Sequence, residues 1–159
     1  MALGIAALAP VGPIAAQAVT ESVHVVITGG PLAGSYEATE TKGGCSTGAN
    51  GPGSWGNAFS NSKAGEKEIG ALSLIVPSAK AAAAGTKEFM VQLRLGSILG
   101  KNVAYDIETR PDQRKPAGSG VVTVTDAGAT AKVTIAAKTA DGIGIQATID
   151  CKSVTRMGQ

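Results

Sequence analysis

His24 is the only histidine in the chain, so a Ser–His–Asp arrangement or an imidazole metal site would have to be built on it. Its neighbours give it a different place. Val23, Val25 and Ile27 alternate with Ser22, His24 and Thr28, which puts the ring mid-strand on the outward face. The segment Gly51-Pro52-Gly53-Ser54-Trp55-Gly56 resembles a nucleophile elbow, but that motif needs glycine two residues before the serine, and position 52 is proline. Paired carboxylates could cleave a glycosidic bond, and Asp106 and Glu108 share one outward strand face, with Glu37 and Asp150 as further acids. Acids on the wet face of a strand are ordinarily just solvated. One Trp, two Tyr and two Phe leave little to line a sugar cleft.

Other chemistries lack their ligands. Two cysteines and one histidine do not have the spacing of a zinc site, and no Asp-rich loop offers the dense oxygens that calcium needs. No glycine-rich stretch leads into Lys-Ser or Lys-Thr at a helix start, so a phosphate loop is missing. The sequence therefore predicts no catalytic residue, no metal and no cofactor. The 14 basic and 12 acidic side chains are spread along the chain and leave a net charge of +2. Nucleic-acid binding needs clustered positive charge, so that class of partner is not expected.

One stretch invites a binding role. Gly43 to Glu66 holds seven glycines together with Asn50, Trp55, Asn57, Phe59 and Asn61, and it reads as a long loop. Trp55, Phe59 and Asn57 could form an aromatic and amide platform for a glycan or a partner. Alternatively, Trp55 covers the core beside Cys45, since a lone Trp in a small domain is usually buried. The two roles make different forecasts, and the sequence leaves both open.

The elements that must position these residues are strands. Leu72, Leu74 and Val76; Phe89, Val91, Leu93 and Leu95; Val103, Tyr105 and Ile107; Val122 and Val124; Ala131, Val133, Ile135 and Ala137 each recur on a period of two. Tyr36 and Ala38 suggest another strand before Cys45. Ile143 to Cys151 alternates in the same way and ends with the cysteine on the inward phase. Asp126-Ala127-Gly128 and Ala140-Asp141-Gly142 supply hairpin turns, so the chain from Gly120 to Cys151 reads as a three-stranded meander. Ser78 caps one short helical connector that stops at Gly85. The expectation is an all-β fold: an antiparallel β-sandwich of about eight strands, Ig-like or jelly-roll-like in architecture.

Residues 1–18 carry no charged side chain and end in Ala16-Gln17-Ala18, the small-x-small pattern of signal-peptidase cleavage. They read as a signal peptide that lacks its usual basic start, with residues 19–159 as one domain and Val19 as the mature N-terminus. In an exported chain, Cys45 and Cys151 are expected to bond, closing a loop worth roughly 4–5 kcal/mol in the chain-entropy model. No later apolar run is long enough for a transmembrane helix.

The order Cys45, Trp55, Cys151 is similar to that of immunoglobulin domains, although Ile149 stands where their tyrosine would be. An early cysteine and a cysteine ending the last strand also resemble the layout of mycobacterial lipoprotein antigens. Neither resemblance implies a function for this chain. The expectation is a secreted or periplasmic, non-enzymatic binding module with a glycan or an envelope protein as partner. A subunit of a surface assembly, joined through edge strands, is the alternative, and a glycan-acting hydrolase comes third.

Overall fold

A computed structural model describes residues 17–113 and 115–158. The predicted signal segment thus lies outside the described residues, apart from Gln17 and Ala18. The chain forms β1 (Glu21–Thr28), β2 (Gly34–Glu40), β3 (Gly44–Thr47), β4 (Trp55–Ser60), β5 (Ile69–Val76), α1 (Ala79–Ala83), β6 (Met90–Gly96), β7 (Asn102–Glu108), β8 (Ser119–Asp126), β9 (Ala131–Lys138), β10 (Gly144–Cys151) and β11 (Val154–Arg156). Two sheets pack face to face, as the alternation predicts. Sheet A runs β2-β1-β10-β9-β8, and sheet B runs β11-β3-β4-β5-β6-β7. All pairings are antiparallel except β11 with β3, a parallel contact that the sequence pattern did not suggest.

The core is what period two requires. Val23, Val25 and Ile27 on β1 share one buried core with Leu72, Leu74 and Val76 on β5 and Val91, Leu93 and Leu95 on β6. Burying a side chain of this size is worth about 1.5–3 kcal/mol, so these rows drive the packing of the two sheets. The predicted meander is β8-β9-β10, with Val122 opposite Ile135 and Ile149 opposite Val133. Its turns use glycine where the backbone turns left-handed, at Gly128 (φ 87°) and Gly142 (φ 92°). The Gly128 N–H also donates to Asp126 Oδ1 at 2.8 Å. Ser78 Oγ accepts from Ala81 N at 3.2 Å and caps α1 as expected.

The long loop expected from Gly43 to Glu66 is not a loop. It contains β3 and β4, joined by the tight Gly48–Ser54 turn, in which Gly48 N donates to Ser54 O at 3.0 Å. The glycines hid the pattern by interrupting it. Gly56 sits opposite Ser46, and a side chain there would press on Asn50 and the Leu74 carbonyl.

The two sheets are stapled by Cys45 of β3 and Cys151 of β10, with Cα atoms 5.9 Å apart and a sequence separation of 106. Beyond Cys151 the chain changes sheets. Lys152 N and Ser153 N donate to Thr20 O, and β11 then joins sheet B. No helix among the described residues is long and apolar enough to cross a membrane.

Candidate functional site

The residues singled out in β4 come together, but inside the protein. Trp55, Asn57 and Phe59 share the inward face of β4 and are 0%, 4% and 3% exposed. A stacking platform needs an open ring face, so the surface role expected for them is not available in this arrangement. Trp55 takes the structural of its two roles, as part of the core. Asn57 stands directly opposite Cys45 in the β3–β4 register.

Asn57 has a buried partner to which no sequence motif points. Glu21, the first residue of β1, is completely buried and lies between Glu40 of β2 and Cys151 of β10. Its position follows from the alternation, because Glu21 is in phase with Val23, Val25 and Ile27. Asn57 Nδ2 donates to Glu21 Oε2, and that same oxygen lies 3.8 Å from Cys45 Sγ. Asn57 Nδ2 is itself 3.8 Å from the sulfur. Glu21 Oε1 and Asn57 Oδ1 are buried without a hydrogen-bond partner. Burial raises the Glu21 carboxyl to about 7; the Asn57 hydrogen bond opposes the rise, and the negative charge of Glu40 adds to it. A proton on Glu21 would supply a donor to a cluster rich in acceptors.

The other chemical candidates are occupied elsewhere. Ser54 is 2% exposed; its hydroxyl donates to Gly51 O at 2.7 Å and accepts from Asn50 N at 3.1 Å, closing the β3–β4 turn. Asp106 lies 3.7 Å from Arg94, across the β6–β7 pair. Glu108 binds Arg110 through both oxygens, at 2.9 and 2.7 Å, and those bonds hold its carboxyl below the usual range. Among the described residues no group of three or more His, Cys, Asp or Glu is placed to hold a metal ion.

His24 is exposed, on the outward phase expected for it. Its Nε2 is 2.9 Å from Ser35 Oγ on β2, the spacing of a base and a hydroxyl. Among the described residues no carboxylate hydrogen-bonds the other ring nitrogen, so the pair lacks the group that orients a catalytic imidazole.

His24 belongs to a row of short and polar side chains that crosses the outward face of sheet A. The register places Glu37, His24, Thr148, Thr134 and Thr123 in one row across all five strands of sheet A. The adjacent row is Ser35, Val26, Gln146, Ala136 and Val121. Small side chains leave shallow hollows: one of about 330 Å³ between His24 and Val121, another of about 430 Å³ beside Glu37 and Asp150, and a third of about 340 Å³ by Gly144 and Lys138. The outward face of sheet B carries longer side chains instead, including Met90, Gln92 and Arg94. Comparison with known protein families, curated proteins and solved structures finds no match to this chain.

Proposed function

We propose that the protein is an exported, non-enzymatic interaction module that engages a protein partner in or around the cell envelope through the outward face of sheet A. The observation that carries this reading is the run of three adjoining hollows over a face built from small hydroxyl and apolar side chains. Five strands about 4.8 Å apart and about 7 residues long give a face on the order of 500 Å² in projection. That matches the central patch of a modest interface. Val26, Ala136 and Val121 offer apolar contact there, while His24, Gln146 and the threonines offer donors and acceptors.

A glycan fits this face less well than a protein does. Sugar recognition leans on aromatic stacking, and Trp55, Phe59, Phe89 and Tyr105 are all interior. The structural-subunit alternative draws on the β2 edge of sheet A, which pairs with no further strand among the described residues.

A photo-crosslinking residue at Thr134 or Thr148, compared with one at Ser73 or Gln92 on sheet B, tests the proposal in producing cells. The reading expects a discrete protein adduct from the sheet A positions only. Equal adducts from both faces would overturn it, as would no adduct together with retention on peptidoglycan. Ladders of self-adducts from Glu37 at the β2 edge would favour the assembly subunit.

A further inference from the structure

A completely buried carboxyl in contact with a disulfide is costly to maintain, and nothing in the interaction reading uses it. We propose that Glu21 is the proton acceptor for closure of the Cys45–Cys151 bond and, in reverse, the proton donor for its reduction. The geometry is local and specific. Glu21 Oε2 lies 3.8 Å from Cys45 Sγ, and Asn57 holds the carboxylate there by donating Nδ2 to the same oxygen. The nucleophile in thiol–disulfide exchange is the thiolate, and a cysteine buried among apolar groups loses its proton reluctantly. A carboxylate at the sulfur removes that obstacle.

The step balances with a disulfide as oxidant, glutathione disulfide being the simplest of that class. Before the two sheets have fully closed, Cys151 loses its proton to water and its sulfur attacks glutathione disulfide; the Cys151–glutathione bond forms, the glutathione S–S bond breaks, and the first glutathione leaves as a thiolate that takes up a proton. Cys45 S–H then gives its proton to the Glu21 carboxylate, and the Cys45 sulfur attacks the Cys151 sulfur. The Cys45–Cys151 bond forms, the Cys151–glutathione bond breaks, and glutathione leaves as a thiolate that takes a proton from water. Two protein thiols are oxidised and one glutathione disulfide is reduced to two thiols. Glu21 ends protonated, which is the form its burial favours and which puts a hydrogen-bond donor into a cluster where Asn57 Oδ1 has no partner.

The groups facing Glu21 are Glu40 from β2, Cys151 from β10, Cys45 from β3 and Asn57 from β4. None is cationic. Burial first, and the negative charge of Glu40 after it, disfavour the charged form of Glu21, so it is a stronger base than a solvated glutamate.

The test is the closure rate of the fully reduced chain with glutathione disulfide between pH 5.5 and 8.5, quenched by acid and alkylation and counted by mass. Glu21→Gln should slow closure at least about tenfold below pH 7, a modest share of what a positioned acid–base group contributes. Its pH profile should shift upward toward that of an ordinary thiol. Glu21→Asp should restore part of the rate. In guanidinium, where the cluster does not exist, wild type and Glu21→Gln should close at the same rate. Equal rates under native conditions, or an equal deficit in guanidinium, would overturn the proposal. Should Glu21→Gln fail to fold, the wild-type carboxylic-acid infrared band decides: it must appear on closure, and its absence from the oxidised protein at pH 6 rejects the role.

Discussion

The interior at the disulfide end and the outward face of sheet A are built from similar side chains used in opposite ways. Inside, Glu21 and Asn57 share one hydrogen bond and leave two oxygens without partners beside the Cys45–Cys151 bond. Outside, Glu37, His24 and three threonines form one row across the five strands of sheet A, on the face open to solvent. The lesson is one of phase. Glu21 and His24 stand three residues apart on β1, an odd step that turns one into the core and the other to solvent. The interior polar groups are shut off from water with two oxygens unpartnered, while His24 and its row face solvent.

The comparison predicts effects of very different size. Removing the staple, with both Cys45 and Cys151 changed to Ala, should cost the most, roughly 4–5 kcal/mol for a loop of 106 residues. Denaturant midpoints of the double variant and the wild type measure it, and a loss below 1 kcal/mol would mean that the sheets hold without the bond. Trp55→Ala should cost roughly 3–5 kcal/mol, the range for emptying a buried aromatic site. In the wild type the emission of this single tryptophan should be blue-shifted and resistant to iodide. A red-shifted, quenchable emission would return Trp55 to the surface.

Glu21 should leave a signature in pH. Its folded value near 7 lies above the unfolded value near 4.5, so the folded state holds this proton more tightly. Its contribution is most favourable below pH 4.5, declines as pH rises through about 7, and is level above that. The full swing is about 3 kcal/mol if the shift is fully expressed. Glu108 works in the opposite sense: its lowered carboxyl contributes above the ordinary carboxylate range and loses that contribution as the medium turns acid. Glu21→Gln should therefore flatten the stability profile between about pH 4.5 and 7, and a decline equal to wild type would place the titrating group elsewhere. The smallest effect belongs to the outer face. His24→Gln should change stability by under about 0.5 kcal/mol, and a larger loss in thermal melts would mean that the Ser35 contact is structural.

Much of this was legible in the residues. The period-two rows of β1, β5, β6, β9 and β10 specify inward and outward faces directly, and Cys151 carries its inward phase into the disulfide. β3 and β4 were missed because seven glycines between 43 and 66 read as a loop, although Trp55, Asn57 and Phe59 already alternate there. Glycine lacks the side chain that reports a face, so a glycine-rich strand loses its pattern while keeping its ladder. Glu21 was equally readable from its phase with Val23, yet a charge at the start of a strand is ordinarily taken as the solvated end. The hollows on sheet A were not legible, because they depend on which residues of five separate strands fall into one row. That register is a tertiary property, and β1 sits beside β10 only after most of the chain has returned.

In the proposed function the outward face of sheet A meets the partner, while the aromatic and acidic residues of β4 and β1 serve the interior. The most direct measurement is the affinity of the crosslinked partner, once recovered, for Thr134→Arg and Ser73→Arg proteins of equal thermal stability. Thr134→Arg should weaken binding at least about tenfold, the ~1.4 kcal/mol expected when a charge enters an interface centre, and Ser73→Arg should stay within about twofold of wild type. Loss of binding through Ser73→Arg with Thr134→Arg unaffected would contradict it.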